Sequence, residues 1–189
     1  MQSRLKIYVL PGGKLPKRQT DGAIGYDVSL RAIICPREMD PHNSSLRKTL
    51  FDFETIPTDP EISRHIVKTE GGELVYRMDP GESVLVGIGF VTEMPYPMFY
   101  WVAPRSGLAS KYGITVTNAP GTVDPDYRGE AGVLVYNRNK SKFDLHHNIR
   151  IAQIVFQTAL IPEITEVTAY QDLDGTQRGA GGFGSTGTK

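Results

Sequence analysis

The sequence predicts a mainly β protein, a barrel or sandwich with little helix, and two observations lead to that prediction. Glycine (20 residues) and proline (13 residues) make up about 17% of the 189 residues, against an average near 12%, and turn residues in such number are typical of many short strands. Segments rich in β-branched and aromatic residues also recur with short spacers. These predicted strands are residues 4–9, 83–91, 99–103, 114–117, 132–137, 150–160 and 165–170.

The individual elements follow from local patterns. Residues 83–91 form a nearly continuous apolar run, which indicates a strand buried on both faces. Residues 106–112 predict one or two helical turns that begin at Ser106 as the N-cap. Residues 58–61 have the order of cap, proline and acid that opens a helix, which we expect to run to Lys68.

Two segments depart from the strand pattern. Residues 33–79 carry nine acidic and six basic side chains without regular strand spacing, so we interpret them as an insertion in a single β domain of residues 1–173. Ordinary surface loops and a regulatory element with an unknown partner both remain open as its role. Residues 174–189 are glycine-rich and poor in apolar side chains, which predicts a flexible arm that is disordered or orders on a ligand or a neighbouring subunit.

Composition limits the partners. The 21 basic and 21 acidic residues give a net charge of zero, whereas nonspecific binding to nucleic acid usually requires a clustered positive excess. No apolar run approaches about 20 residues, so we expect no membrane partner. The single cysteine, Cys35, cannot form an internal disulfide, which fits a reducing compartment and predicts a cytoplasmic protein.

Several familiar chemistries are excluded by missing motifs. The chain has no P-loop, no H-x-E with paired cysteines for a zinc deaminase, and no G-x-S-x-G elbow. Residues 179–184 match G-x-G-x-x-G, but only five residues follow them, so no helix of a dinucleotide-binding unit can begin there.

The candidate functional residues lie in five blocks of the sequence. Asp124 falls in a turn between predicted strands 114–117 and 132–137, where a carboxylate either activates a water or merely caps the turn. Arg105 and Ser106 lie at a predicted strand-to-helix junction, and the N-terminus of a helix favours the binding of anions. The blocks are residues 22–27 (GAIGYD), 103–109 (APRSGLA), 118–130 (NAPGTVDPDYRGE), 150–153 (RIAQ) and 178–187 (RGAGGFGSTG).

In this order and composition the blocks closely resemble the five motifs of the homotrimeric dUTPase family, over about 140 of the 189 residues. The resemblance implies a distorted jelly-roll or β-barrel and a homotrimer with sites at subunit interfaces. It implies hydrolysis of dUTP to dUMP and pyrophosphate, which limits uracil incorporation into DNA and supplies dUMP for thymidylate synthesis. It also implies Mg²⁺ on the triphosphate, because this ion sheds its water reluctantly.

The resemblance further implies roles for individual residues. Asp124 would activate the water that attacks the α-phosphorus, and Asp27 would order water around the metal. Tyr127 would pack under the deoxyribose and leave no room for a 2′-hydroxyl. The other implied substrate contacts are Asn118 and Gly121 for uracil, Arg105, Ser106, Gly107 and Gln153 for the phosphates, and Arg178, Phe183, Gly184, Ser185 and Thr186 in an arm that closes over the nucleotide.

Two alternatives remain. The related dCTP deaminases have a glutamate three positions before an asparagine in the strand after the hairpin; here Asn137 is preceded at that distance by Leu134, which cannot shuttle protons. A noncatalytic dUTP-binding or signalling protein, with residues 33–79 as its interaction surface, is the other alternative.

Overall fold

The computed structural model describes residues 4–182 and is mainly β. Its helices are α1 (Pro60–Ser63), α2 (Ser106–Tyr112) and a 3-10 helix at Tyr170–Asp172. Its strands are β1 (Lys6–Val9), β2 (Tyr26–Ser29), β3 (Ala32–Asp40), β4 (Asn43–Phe51), β5 (Ile66–Lys68), β6 (Leu74–Met78), β7 (Ser83–Gly87), β8 (Phe90–Glu93), β9 (Met98–Pro104), β10 (Ile114–Val116), β11 (Gly121–Val123), β12 (Gly132–Asn137), β13 (Phe143–Leu145) and β14 (Arg150–Thr158).

Two larger antiparallel sheets build the core. One has the order β10-β12-β7-β3-β4 and the other β11-β9-β14-β2, beside smaller sheets β1-β8 and β13-β6-β5. Val86 and Val133 of the first sheet share one buried cluster with Tyr100 and Ile154 of the second, so the inner faces meet in a common core. The predicted mainly β jelly-roll with little helix is confirmed.

Three predicted elements were wrong in extent or type. The apolar run 83–91 divides into β7 and β8, because Gly89 takes a φ of 78° and its backbone lies against Gly13. The helix expected at residues 58–68 is limited to α1, capped by Asp59, and β5 follows it because β6 offers a pairing edge. Residues 165–169 form no strand, although β propensity favoured one.

Residues 33–79 are more regular than their composition suggested. They supply most of β3 and all of β4, β5 and β6, and Ile33, Phe51, Val75 and Met78 are buried in the core. The expectation that this segment lacks regular strands was therefore wrong. Its two ends form part of the domain, and the polar hairpin between β3 and β4 extends from it.

The chain divides into two compact units, Met1–Ala159 and Leu160–Lys189. The second unit begins before residue 174, where composition had placed the start of the arm. Within the described part of this unit, large apolar side chains are exposed, Leu160 by 90% and Ile164 by 91%. No helix among residues 4–182 is long and apolar enough to cross a membrane.

Candidate active site

Strand β9 positions the two groups of predicted site residues. It lies between β11 and β14 in the four-stranded sheet. Val123 at the end of β11 pairs with Tyr100, while Gln153 of β14 pairs with Ala103. Asp124 therefore leaves the sheet near the start of β9. The residues predicted to contact the phosphates gather near the end of the same strand.

The turn that carries Asp124 is closed by its own backbone and by Tyr127. The Tyr127 amide donates to the Asp124 carbonyl over 3.3 Å, and the Tyr127 hydroxyl donates to the Glu130 carbonyl over 3.1 Å. Gly129 lies so close under this ring that a Cβ there would collide with it. The sequence thus folds the turn so that the Tyr127 ring is held by its tip and remains 41% exposed.

The Asp124 carboxylate is free among the described residues. None of the side-chain hydrogen bonds or ion pairs within residues 4–182 uses it. By contrast, Asp40 and Asp52 each accept two backbone N–H bonds as turn caps. Asp124 instead lines a cavity of about 500 Å³ together with Tyr96 and Arg128.

A second cluster gathers around Asp27 on β2. Its Oδ1 accepts from Arg105 Nε and its Oδ2 from Arg150 Nη1, each over 3.0 Å. Arg105 also donates to the Arg150 carbonyl over 3.0 Å. Two arginines and one carboxylate leave this end of the sheet with a net positive charge, which suits an anionic ligand.

Gln153 fixes the backbone beside that cluster. Its Nε2 donates to the Pro104 carbonyl over 3.0 Å, directly before Arg105. Gly25 packs against the amide so closely that a Cβ there would overlap its oxygen. The structure thus gives the amide a structural partner in the backbone beside Arg105.

The start of α2 lies next to Arg105. Arg105 takes the N-cap position without a side-chain cap bond, so the predicted cap at Ser106 was wrong and Ser106 is the first helical residue. Ser106 and Gly107 are both exposed. Unpaired N–H groups of this first turn add donors for an anion.

Of the predicted uracil-reading residues, Asn118 lies just before β11 and Gly121 is the first residue of that strand. The Asn118 side chain is close to Gly121, where an added Cβ would be 3.1 Å from Asn118 Nδ2. Both residues precede Asp124 on the same loop between β10 and β12. The two predicted strands do pair, but the tight turn predicted between them was wrong, because their connection passes through β11 of the other sheet.

Asp27 and Asp124 lie far apart within one chain. Asp124 is one residue beyond the Val123–Tyr100 pair, and Asp27 shares its row with Gln153 and Ala103. Strand rise and strand spacing then put the two Cα atoms about 20 Å apart, on edge strands of the sheet. A single chain does not bring its two predicted catalytic carboxylates together.

The C-terminal unit places one predicted residue. Arg178 is exposed, and its Nε donates to the Gly181 carbonyl over 2.8 Å. Gly179 between them has a φ of 52°, in the left-handed region. The predictions for Phe183, Gly184, Ser185 and Thr186 fall outside the described residues.

Sequence reasoning missed two neighbours of the site. Arg150 stood in a quoted block, but its contact with Asp27 depends on the register of β14 and β2. Tyr96, 71% exposed beside Asp124, had no signal in the sequence. Tyr100, which pairs with Val123 directly before the Asp124 turn, is buried, and burial raises its pKa to about 12.

One further group of ligand-type side chains lies away from this site. His65, Asp79 and Glu82 have polar atoms within 4.8 Å of one another. Lys142 already pairs with Asp79 over 2.9 Å, and the Tyr76 hydroxyl donates to Glu82 over 2.6 Å. Internal partners therefore account for this cluster.

Comparison with known proteins finds similar sequences and a similar fold. The family model described as dUTPase matches residues 75–187. The deoxyuridine 5'-triphosphate nucleotidohydrolase of Heliobacterium modesticaldum is 36% identical over 178 residues, 94% of this chain and 91% of that protein. The Desulfotalea psychrophila protein of the same name is 49% identical over 110 residues, 58% of this chain and 71% of that protein.

A solved structure shows the same fold at low identity. A mutant of the Staphylococcus bacteriophage 80alpha dUTPase with dUpNHpp has a TM-score of 0.64 and 17% identity, covering 97% of this chain and 98% of that one. The family match spans more than half of the chain, and the Heliobacterium relative is similar along nearly all of it. The chain therefore belongs to the dUTPase family.

Proposed function

We propose that the chain hydrolyses dUTP to dUMP and pyrophosphate through a water that Asp124 activates for attack on the α-phosphorus. Members of the dUTPase family catalyse this reaction, which limits uracil incorporation into DNA and provides dUMP. The free Asp124 carboxylate is the observation that carries the proposal. A turn cap would accept backbone N–H bonds, as Asp40 and Asp52 do, whereas an acceptor left free can orient a water and take its proton.

Tyr127 is proposed to reject ribonucleotides. Its hydroxyl is tied back to the Glu130 carbonyl, so the ring presents a fixed face beside Asp124. A sugar packed on that face would have no room for a 2′-hydroxyl. Asn118 and Gly121, on the same loop, are proposed to read uracil through polar contacts, and the shape of the pocket would exclude the thymine methyl group.

The Arg105 cluster is proposed to hold the phosphates. Asp27 fixes the direction of the Arg105 guanidinium, and Ser106, Gly107 and Gln153 surround the same position. Both Asp27 oxygens already accept from arginine, which fits contact with Mg²⁺ only through water. The ion would be bound by the triphosphate oxygens, where it would neutralise charge on the phosphates.

Two observations support a homotrimer whose sites lie between subunits. In one chain Asp124 and Asp27 lie at opposite edges of one sheet, and strand rise and spacing put their Cα atoms about 20 Å apart, farther than one triphosphate extends. A neighbouring subunit would also cover exposed apolar residues such as Leu160, Ile164 and Tyr170. We propose that Arg178 and the arm, including Phe183, close over a neighbouring subunit's nucleotide, and that the protein acts in the cytoplasm.

Mixing two inactive variants tests this arrangement. Asp124→Asn lacks the proposed base and Arg105→Met lacks the phosphate clamp, so each homotrimer should be inactive. In mixed trimers some interfaces combine an intact Asp124 from one chain with an intact Arg105 from another. Pyrophosphate release from dUTP should therefore return on mixing after dissociation and reassembly. Activity that stays absent in verified mixed trimers would place each site within one chain.

The alternatives receive no support from the described residues. Leu134 occupies the position of the deaminase glutamate, and Asn137 is engaged in the turn after β12, donating to the Asp79 and Ser141 carbonyls. Assaying the protein with dCTP as substrate tests deamination directly. For the binding-only alternative, residues 33–79 would be the interaction surface, and dUTP bound without turnover would establish that the protein is noncatalytic.

A further inference from the structure

A buried ion pair joins the residue just before β3 to the loop that carries Asp124. Arg31 lies just before β3, and its Nε and Nη2 donate to the two carboxylate oxygens of Glu130 over 2.8 and 2.6 Å. The Glu130 residue is 1% exposed, and the Arg31 side chain 14%. The backbone N–H of Gly89 adds a third bond to Glu130 over 2.7 Å.

Glu130 continues directly into the active-site turn. Its carbonyl accepts the Tyr127 hydroxyl, and the Tyr127 amide donates to the Asp124 carbonyl. The position of Glu130 therefore sets where the Tyr127 ring lies. Gly87 makes room for this arrangement, because a Cβ there would collide with the Glu130 carboxylate.

Stability alone gives a poor reason for such a pair. Burying two charges costs desolvation energy that their attraction often only offsets, and apolar residues of similar volume commonly serve as well. The bidentate geometry does fix position, since a planar guanidinium fork accepts a carboxylate in one orientation. The pair lies at the end of the loop whose geometry the reaction requires.

We propose that Arg31 and Glu130 are positioning residues that hold the Tyr127 ring and thereby set discrimination between deoxyribose and ribose. The proposal rests on the role proposed above for Tyr127. Neither side chain touches the nucleotide, so both act through the Glu130 backbone. Loss of the pair lets the Tyr127 ring shift, and a shifted ring admits the 2′-hydroxyl.

The test is the ratio of kcat/KM for dUTP to that for UTP, because a ratio does not change with the fraction of folded enzyme. Arg31→Met removes the guanidinium group that pairs with Glu130. The double variant Arg31→Met with Glu130→Gln leaves no unpaired buried charge, and so decides the matter if the single variant does not fold. Arg77→Met is the matched control, since Arg77 makes a comparable bidentate pair with Asp144 away from the site.

We expect the ratio to fall at least about tenfold in both Arg31 variants, because small misplacements at a site have effects of this order. The Arg77→Met ratio should equal that of the wild type. An unchanged ratio in the folded double variant would overturn the proposal while leaving the proposed function intact. A wild type without preference for dUTP over UTP would instead overturn the role of Tyr127 itself.

Discussion

Replacing Asp27 by asparagine should weaken both the fold and the phosphate site. The carboxylate accepts from Arg105 and Arg150, each over 3.0 Å, and its side chain is 13% exposed. An amide of the same shape presents a donor to one guanidinium. The bond to Arg105, itself 24% exposed, is worth about 1.5–2 kcal/mol, and that to the half-exposed Arg150 at most about 1 kcal/mol.

The total loss of about 1.5–3 kcal/mol corresponds to a fall in Tm of roughly 3–12 °C for a chain of this length. Freed from Asp27, Arg105 no longer points in one direction, so kcat/KM for dUTP should fall by about 10- to 100-fold. UTP should lose as much, because the defect lies at the phosphates. The ratio of dUTP to UTP would then stay constant, unlike in the Arg31 variants.

Thermal unfolding at fixed protein concentration and steady-state pyrophosphate release provide the two measurements. Asp144→Asn is the matched control: it breaks a bidentate arginine pair outside the site and should lower Tm without changing kcat/KM. A variant at Asp27 with wild-type kcat/KM would refute the assignment of Arg105 to the phosphates. A change in Tm below 1 °C would refute the energies assigned to these bonds.

Three further changes have defined outcomes. Gly129→Ala should displace the Tyr127 ring and lower the dUTP-to-UTP ratio of kcat/KM by about tenfold; an unchanged ratio would contradict the close packing. Gly25→Ala should push away the Gln153 amide and raise KM for dUTP, with titration of the nonhydrolysable analogue dUpNHpp as the check. Burial raises the pKa of Tyr100 to about 12, so its neutral phenol stabilises the fold fully below pH 10, and this stabilisation is lost as the pH rises through 12. Between pH 9 and 11.5 the unfolding free energy of the wild type, measured with urea, should therefore fall by about 2 kcal/mol more than that of Tyr100→Phe.

Structural features that depend on residues near one another in sequence were predicted correctly. The strand-to-helix change at Arg105 and the extent of α2 agreed with the sequence pattern, because turn residues and β-branched runs are properties of neighbouring residues. The contact between Asp27 and Arg150 depends on the register of two strands far apart in sequence. No spacing rule within one chain predicts that register.

The misreading of residues 33–79 has a specific physical cause. Frequent charges within a segment favour loops, but Arg77 on β6 lies opposite Asp144 on β13 in register, and the two side chains neutralise each other. The Arg77 guanidinium also lowers the pKa of the Asp144 carboxyl. A polar strand position is accommodated when the partner strand supplies the opposite charge, which the first strand's sequence does not show.

Hydrolysis of dUTP through Asp124 is tested by measuring pyrophosphate release from dUTP, dCTP, dTTP and UTP with Mg²⁺, for the wild type and for Asp124→Asn. We expect rapid release from dUTP alone, and a variant that still binds dUpNHpp but turns over at least about 100-fold more slowly, because a general base is lost. Asp124→Asn that retains wild-type turnover, or a wild type that cleaves all four nucleotides equally, would contradict it.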